Sequence, residues 1–247
     1  MRHNFLFDLD QTLLNFHASE HIALKNVVSA HGFEFTEDLY AYFKVRNKEL
    51  WLQYEKALIT RQDIYTTRFG LLFEKLGADT FSLDLLAINS EFIVQMSRNG
   101  VLMDGALDFV KRIRDTFSDS KIYIVTNGVK INADGRIKST GLDEFIDGVY
   151  ISEVMGVTKP AAEFFERVID DIGKPKSSYI VVGDSLSSDM LGAKNAGLAS
   201  CWFMPEESVG SEDAVLNAMR EYEIDYKAGS FDELYEVLVK WVSMKTR

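Results

Sequence analysis

The chain opens with Phe5-Leu6-Phe7-Asp8-Leu9-Asp10, an apolar run that ends in two carboxylates spaced two residues apart. Side chains alternate along a strand, so Asp8 and Asp10 are expected to share one direction while Leu6 and Leu9 join the packing around them. Carboxylates held this close repel one another and lose hydration, and together they require a cation, a shared proton or both. In a parallel sheet, ligands bind beyond the carboxyl ends of the strands, and the pair falls at such an end. Alone, Asp8-x-Asp10-x-Thr12 also occurs in turns and at helix starts, so its distant partners have to decide its meaning.

After this strand the hydrophobic period becomes helical and stays so for about eighty residues, far beyond an ordinary loop. Helices are expected from Ser19 to His31, after Thr36, from a capping box at Thr60 and Asp63, and from Ser82. From Val101 strands alternate with helices, the signature of parallel βαβ units. Lys121 to Thr126, Gly148 to Ile151, Tyr179 to Val182 and Ala199 to Phe203 read as strands. Pro160 suits the first turn of a helix that presents Phe164, Phe165, Val168 and Ile172. The expected fold class is therefore α/β, with a discontinuous Rossmann-like core over residues 1–15 and 100–247. It encloses an all-helical cap over residues 16–99. With 247 residues, 47% of them hydrophobic, the chain can fill a sizeable core.

Three further strand ends carry residues suited to phosphate and metal chemistry: Thr126-Asn127-Gly128, Lys159-Pro160 and Gly183-Asp184-Ser185. Asp184 can join Asp8 around a hard cation, because oxygen ligands of this kind select Mg²⁺. The Thr126 hydroxyl and the Asn127 amide can donate to phosphate oxygens, and Lys159 adds a point charge that separates the crowded acids. Asp189, one turn beyond Asp184, has two readings: it holds Lys159 or a metal-bound water, or it caps its helix. The bland reading of Lys159 alone is a solvated lysine before a helix. The 27 basic residues against 38 acidic ones give a net charge of -11, which argues against a nucleic-acid polymer as partner. A small phosphate ester remains open if a metal and one lysine reverse the field locally. No apolar stretch reaches membrane-span length, and a cytoplasmic monomer or homodimer is expected. Cys201, the single cysteine, reads as a core thiol, and the four histidines show no triad or zinc spacing.

These strand-end motifs, taken in order, resemble the haloacid dehalogenase superfamily of aspartate-nucleophile phosphatases. The resemblance runs on through the cap, most closely to its pyrimidine 5'-nucleotidases, in Leu50-Trp51 with Tyr54, Ile59-Thr60-Arg61, Thr67-Arg68-Phe69 and Cys201-Trp202. It implies that Asp8 is the nucleophile, that Asp10 protonates the leaving oxygen and then activates water, and that Asp8, the Asp10 carbonyl and Asp184 hold Mg²⁺. It also implies phosphate binding by Thr126, Asn127 and Lys159, with Asp189 behind them. Gln11 departs from the pattern, since these enzymes often carry a second acid there. In the cap, Phe16, Trp51 and Arg68 are the candidates for touching a pyrimidine nucleoside monophosphate. Aromatics at helical spacing are more often core. Phosphoglycolate and phosphosugar phosphatases and phosphosugar mutases share the core motifs. A catalytically silent nucleotide-binding protein is the non-enzyme alternative.

Overall fold

The computed structural model describes residues 3–56, 58–205 and 211–245. Its chain divides into two compact units, one of Met1–Phe16 with Gly100–Arg247 and one of His17–Asn99. Among the described residues no helix is long and apolar enough to cross a membrane.

Among the described residues the first unit is built on six strands: β1 (Asn4–Phe7), β2 (Lys121–Thr126), β3 (Gly148–Ile151), β4 (Tyr179–Gly183), β5 (Ala199–Phe203) and β6 (Tyr226–Ala228). They form one sheet in the order β3-β2-β1-β4-β5-β6, and every neighbouring pair is parallel. The chain steps outward from β1 through β2 to β3 and then returns to the other side of β1 as β4. The strand order thus reverses at β1, which creates the crevice where parallel sheets bind ligands. Phe7 pairs with Ile124 on one side and Val182 on the other, so the residues just after Phe7 emerge level with the ends of β2 and β4.

Burial of both sheet faces explains why these strands read as near-continuous apolar runs. On one face Phe5, Phe7, Ile124 and Val182 pack with Phe109, Val110 and Ile113 of α5 (Ala106–Thr116). Ala133 and Ile137 of α6 (Lys130–Ser139) and Leu234, Leu238 and Trp241 of α11 (Phe231–Lys245) complete that layer. On the other face Leu6, Tyr179 and Val181 meet Phe164, Phe165, Val168 and Ile169 of α8 (Ala162–Ile172) and Ala193 of α9 (Leu191–Ala196). The four-residue α7 (Ser152–Met155) and α10 (Glu212–Glu221) also belong to this unit. The chain leaves and rejoins it side by side: Asn15 N–H donates to Val101 O at 2.8 Å and Met103 N–H to Leu13 O at 2.9 Å.

The second unit carries most of α1 (Phe16–Ala30), with α2 (Glu37–Glu55), α3 (Arg61–Lys75) and α4 (Leu85–Arg98). Phe43, Phe69 and Phe92 are buried there with ring centroids 5.5 to 5.9 Å apart. The Thr60 capping box is formed in both directions, with Asp63 N–H on the Thr60 hydroxyl and Thr60 N–H on the Asp63 carboxylate.

Two local expectations are corrected. Helix α4 starts at Leu85, capped by Asp84, because Thr80–Ser82 forms a separate 3-10 turn. Helix α8 starts at Ala162, so Pro160 precedes it, joined to Lys159 by a cis peptide bond. Strand β1 stops at Phe7, but Leu9 still packs with Phe5 and Phe7 on one side while Leu6 packs on the other, as alternation expects, and the chain turns at Gln11, whose φ is 59°.

The packing of α9 on α8 leaves no room for a side chain at Gly192, where an added Cβ would lie 2.5 Å from the buried Phe165 ring. Gly192→Ala is expected to destabilise the protein by about 1–3 kcal/mol through overpacking. Urea unfolding checks this, and an unchanged midpoint would count against so close a contact.

Candidate active site

Asp8 lies just past β1 and is held there by its own N–H, which donates to Val182 O at 2.8 Å. Its side chain is 9% exposed. A carboxylate this buried needs a counter-charge, and Lys159 supplies it: Nζ donates to Asp8 Oδ1 at 2.6 Å, to Asp189 Oδ1 at 2.6 Å and to Val125 O at 2.8 Å. Those three bonds use all three ammonium protons. As placed, then, Lys159 ties the acids together and has no N–H left for a phosphate, a narrower position than its expected place among phosphate ligands.

Asn127 fixes the lysine's backbone. Its Nδ2 donates to Lys159 O and its Oδ1 accepts from Lys159 N–H, each at 2.9 Å. The Asn127 side-chain amide is therefore committed to holding this loop, and the phosphate role expected of Asn127 falls to its backbone N–H. Thr126 is buried, and its Oγ1 accepts from Gly128 N–H at 3.0 Å. The hydroxyl proton stays available to an incoming oxygen.

Asp184 follows β4, and the Trp202 indole of β5 donates to its carbonyl at 2.9 Å. Asp189 sits in the π-helical turn Leu186–Met190. Both readings of Asp189 hold in part: its Oδ1 accepts from Lys159, while its Oδ2 accepts from Ser185 N–H at 3.2 Å. Gly183 makes room for it, since a Cβ there would lie within 3 Å of three Asp189 side-chain atoms.

Asp8, Asp184 and Asp189 each offer an oxygen within 4.8 Å of the others. Three carboxylates against one ammonium leave an excess of two negative charges, which a divalent cation would balance. Burial pushes the Asp8 carboxyl above its usual range; Lys159 opposes the shift while Asp189 and Asp10 add to it. Burial likewise raises Asp184, reinforced by Asp8 and Asp189. Hard oxygen donors with uncompensated charge fit a hard cation such as Mg²⁺.

Asp10 is not part of that triad. Its carboxylate meets Arg136 of α6, with NH1 to Oδ1 at 2.5 Å and NH2 to Oδ2 at 3.1 Å. Sequence reasoning missed Arg136, although the signal existed. Arg136 shares the inward stripe of α6 with Ala133 and Ile137, and an arginine on such a stripe requires an acid. Phe16, expected in the cap, belongs to the first unit, with its ring 5.5 Å from the Arg136 guanidinium carbon.

The other two cap candidates lie within the helical unit. Trp51 is half-buried, edge-on to Tyr54 at 5.6 Å. Arg68 is buried and points inward: Nε and NH2 donate to Asn89 Oδ1 and NH1 to Asn47 Oδ1, with the Phe92 ring 4.8 Å away. Burial lowers its pKa to about 10, with Glu20 opposing. Glu20 itself is buried and accepts from Asn47 Nδ2 at 2.8 Å. Arg68 thus anchors a buried polar network, where the sequence suggested a donor for substrate.

A family model of haloacid dehalogenase-like hydrolases matches residues 3–197, and the chain belongs to that family. It is 30% identical to the HAD hydrolase YfnB of Bacillus subtilis over 94% of each chain. A crystal structure of YfnB bound to magnesium, which reveals interdomain movement, superposes with a TM-score of 0.84 over 96% of this chain and 98% of that one. The pyrimidine 5'-nucleotidase PynA of Streptococcus pneumoniae is 31% identical, covering 95% of this chain and 94% of its own. The pyrimidine 5'-nucleotidase YjjG of Escherichia coli is 33% identical over 79% and 83%.

The raised carboxyls predict a pH signature. Between the ordinary carboxylate range and the raised values the folded protein holds more protons than the unfolded chain, so metal-free stability falls as pH rises through that interval. A cation removes the penalty of the ionised acids. The Tm gained on adding Mg²⁺ is therefore expected to be larger near pH 8 than near pH 5. Thermal unfolding at both pH values tests this, and an equal gain at each would contradict it.

Proposed function

We propose that this hydrolase cleaves phosphomonoesters through an aspartyl-phosphate on Asp8, and that its substrates are pyrimidine nucleoside monophosphates. The observation that carries the chemistry is the buried Asp8 carboxylate at the switch point of the sheet, held by Lys159 among acids suited to a divalent cation. In the first half-reaction Asp8 attacks phosphorus, the bond to the leaving oxygen breaks, and Asp10 gives that oxygen its proton. In the second, water attacks phosphorus, its proton passes to Asp10, and the phosphorus–Asp8 bond breaks to release phosphate. Asp8, Asp184 and the Asp10 carbonyl would hold Mg²⁺, with Asp189 beside them. Bound there, the ion neutralises charge on the phosphoryl oxygens. The Thr126 hydroxyl and the Asn127 backbone amide orient the phosphate, while Lys159 keeps Asp8 in place.

The substrate class rests on similarity to PynA and YjjG across the helical unit as well as the core. The core motifs grip only phosphate, so discrimination among leaving groups falls to the residue 16–99 insertion, proposed as a cap. A pocket fitted to one ring excludes two by overlap.

Phosphate release from UMP, dUMP, dTMP, AMP, GMP and a phosphosugar tests both parts. Hydrolysis should need Mg²⁺, disappear in Asp8→Asn, and favour the pyrimidine nucleotides in kcat/KM by about tenfold or more. If purine nucleotides or the phosphosugar prove better, the nucleotidase assignment fails and the phosphatase assignment stands. Normal turnover by Asp8→Asn would remove the covalent route.

A further inference from the structure

We infer that Arg136 is a positioning residue for the second half-reaction: its guanidinium fork holds the Asp10 carboxylate in the orientation that takes the proton from the attacking water. The inference rests on the aspartyl-phosphate route proposed above and assigns that route a residue it does not otherwise contain.

The argument begins with burial. The Arg136 side chain is 1% exposed, while that of Asp10 is 29% exposed. One edge of the Asp10 carboxylate is therefore fixed against the protein interior and the rest is open to an incoming molecule. Both oxygens are engaged, one by NH1 and one by NH2, so the plane of the carboxylate is set as well as its position. Phe16 stands beside the guanidinium and Ala133 and Ile137 share its helical face, which leaves the fork little freedom to swing.

Stability alone does not account for an arginine here. Its Nε is buried with no hydrogen-bond partner among the described residues, and an unsatisfied buried N–H destabilises a fold. An apolar side chain beside Ala133 and Ile137 would avoid that defect, and buried ion pairs are often replaced by apolar groups without loss. What only arginine supplies is the two-point grip on Asp10.

The grip suits one half of the reaction. Once the leaving oxygen has taken its proton, Asp10 is an anion and pairs with the cation beside it. Water then attacks the phosphoryl group on Asp8, its proton goes to Asp10, and phosphate leaves with the bonding pair of the phosphorus–Asp8 bond returning to Asp8. A carboxylate misaligned for that transfer slows breakdown of the phosphoenzyme more than its formation.

The test is rapid-mix kinetics with p-nitrophenyl phosphate, whose leaving group needs no proton, together with acid-quench measurement of phosphoenzyme. It compares the wild-type chain with Arg136→Met, Arg136→Lys, Asp10→Asn and the double variant Asp10→Asn/Arg136→Met. In Arg136→Met steady-state turnover should fall by about 10²-fold, the scale of a misplaced catalytic group. The p-nitrophenolate burst rate should stay within about threefold of wild type, so that phosphoenzyme accumulates. Arg136→Lys, which keeps the charge but not the fork, should lie between the two and carries the comparison if Arg136→Met does not fold. In the Asp10→Asn background Arg136→Met should add nothing, because the two act as one unit. Burst and steady state falling together, or an undiminished Arg136→Met effect without Asp10, would show a merely structural arginine and overturn the inference. A wild-type chain that forms phosphoenzyme beside an Arg136→Met variant indistinguishable from it sinks only this inference. A wild-type chain that hydrolyses phosphate esters without any phosphoenzyme sinks the parent route and this inference with it.

Discussion

One ammonium group organises the chemistry-bearing end of this sheet. Lys159 is buried, and its three N–H groups reach an acid after β1, a carbonyl within β2 and an acid in the turn after β4. Desolvating such charges is expensive, and ion pairs of this kind are poor sources of stability. Their value is positional, because each strand end is pinned relative to the other two. The reciprocal bonds between Asn127 and the Lys159 backbone extend the pinning to the loop after β2. Asp8 is thereby held in a chosen orientation while surrounded by acids that repel it.

The scaffold makes that crowding possible by withholding side chains where the acids need space. Gly183 lets Asp189 fold back against the end of β4, and Ser185 N–H completes the hydrogen bonding of Asp189 Oδ2. Trp202 steadies Asp184 from the neighbouring strand through a carbonyl. None of these residues carries the reaction proposed for the site, yet each fixes a residue that does. Within the helical unit a second buried cation, Arg68, is handled differently, with amides and aromatic faces around it instead of direct carboxylates.

The sheet was largely legible in the sequence because long apolar runs bounded by glycine and charge leave few alternatives. β6 was not, since Tyr226–Ala228 has only three residues and period two cannot be recognised over so short a span. The four-residue α7 escaped for the same reason of length. At the site, Asp8, Asp184 and Lys159 were readable because strand ends in a parallel sheet converge whatever the loops do. Asp10 was readable too, but not the ion pair that holds it. Arg136 and the inward turn of Arg68 were hidden because a charged residue on an apolar stripe names its need for a partner but not which one. Both partners are distant in sequence, and only the tertiary fold supplies them.

The hydrogen bonds that join Leu13 and Asn15 to Met103 and Val101 have a consequence for how this architecture tolerates changes of length. To the sheet, everything between these residues is a single closed loop whose two ends already touch. Loop-closure entropy grows only slowly with length, so an insertion anchored at such a base can be lengthened, shortened or exchanged with little penalty to the strands beneath. At this neck the strands and the inserted helices can each tolerate a change of length without displacing the other's backbone.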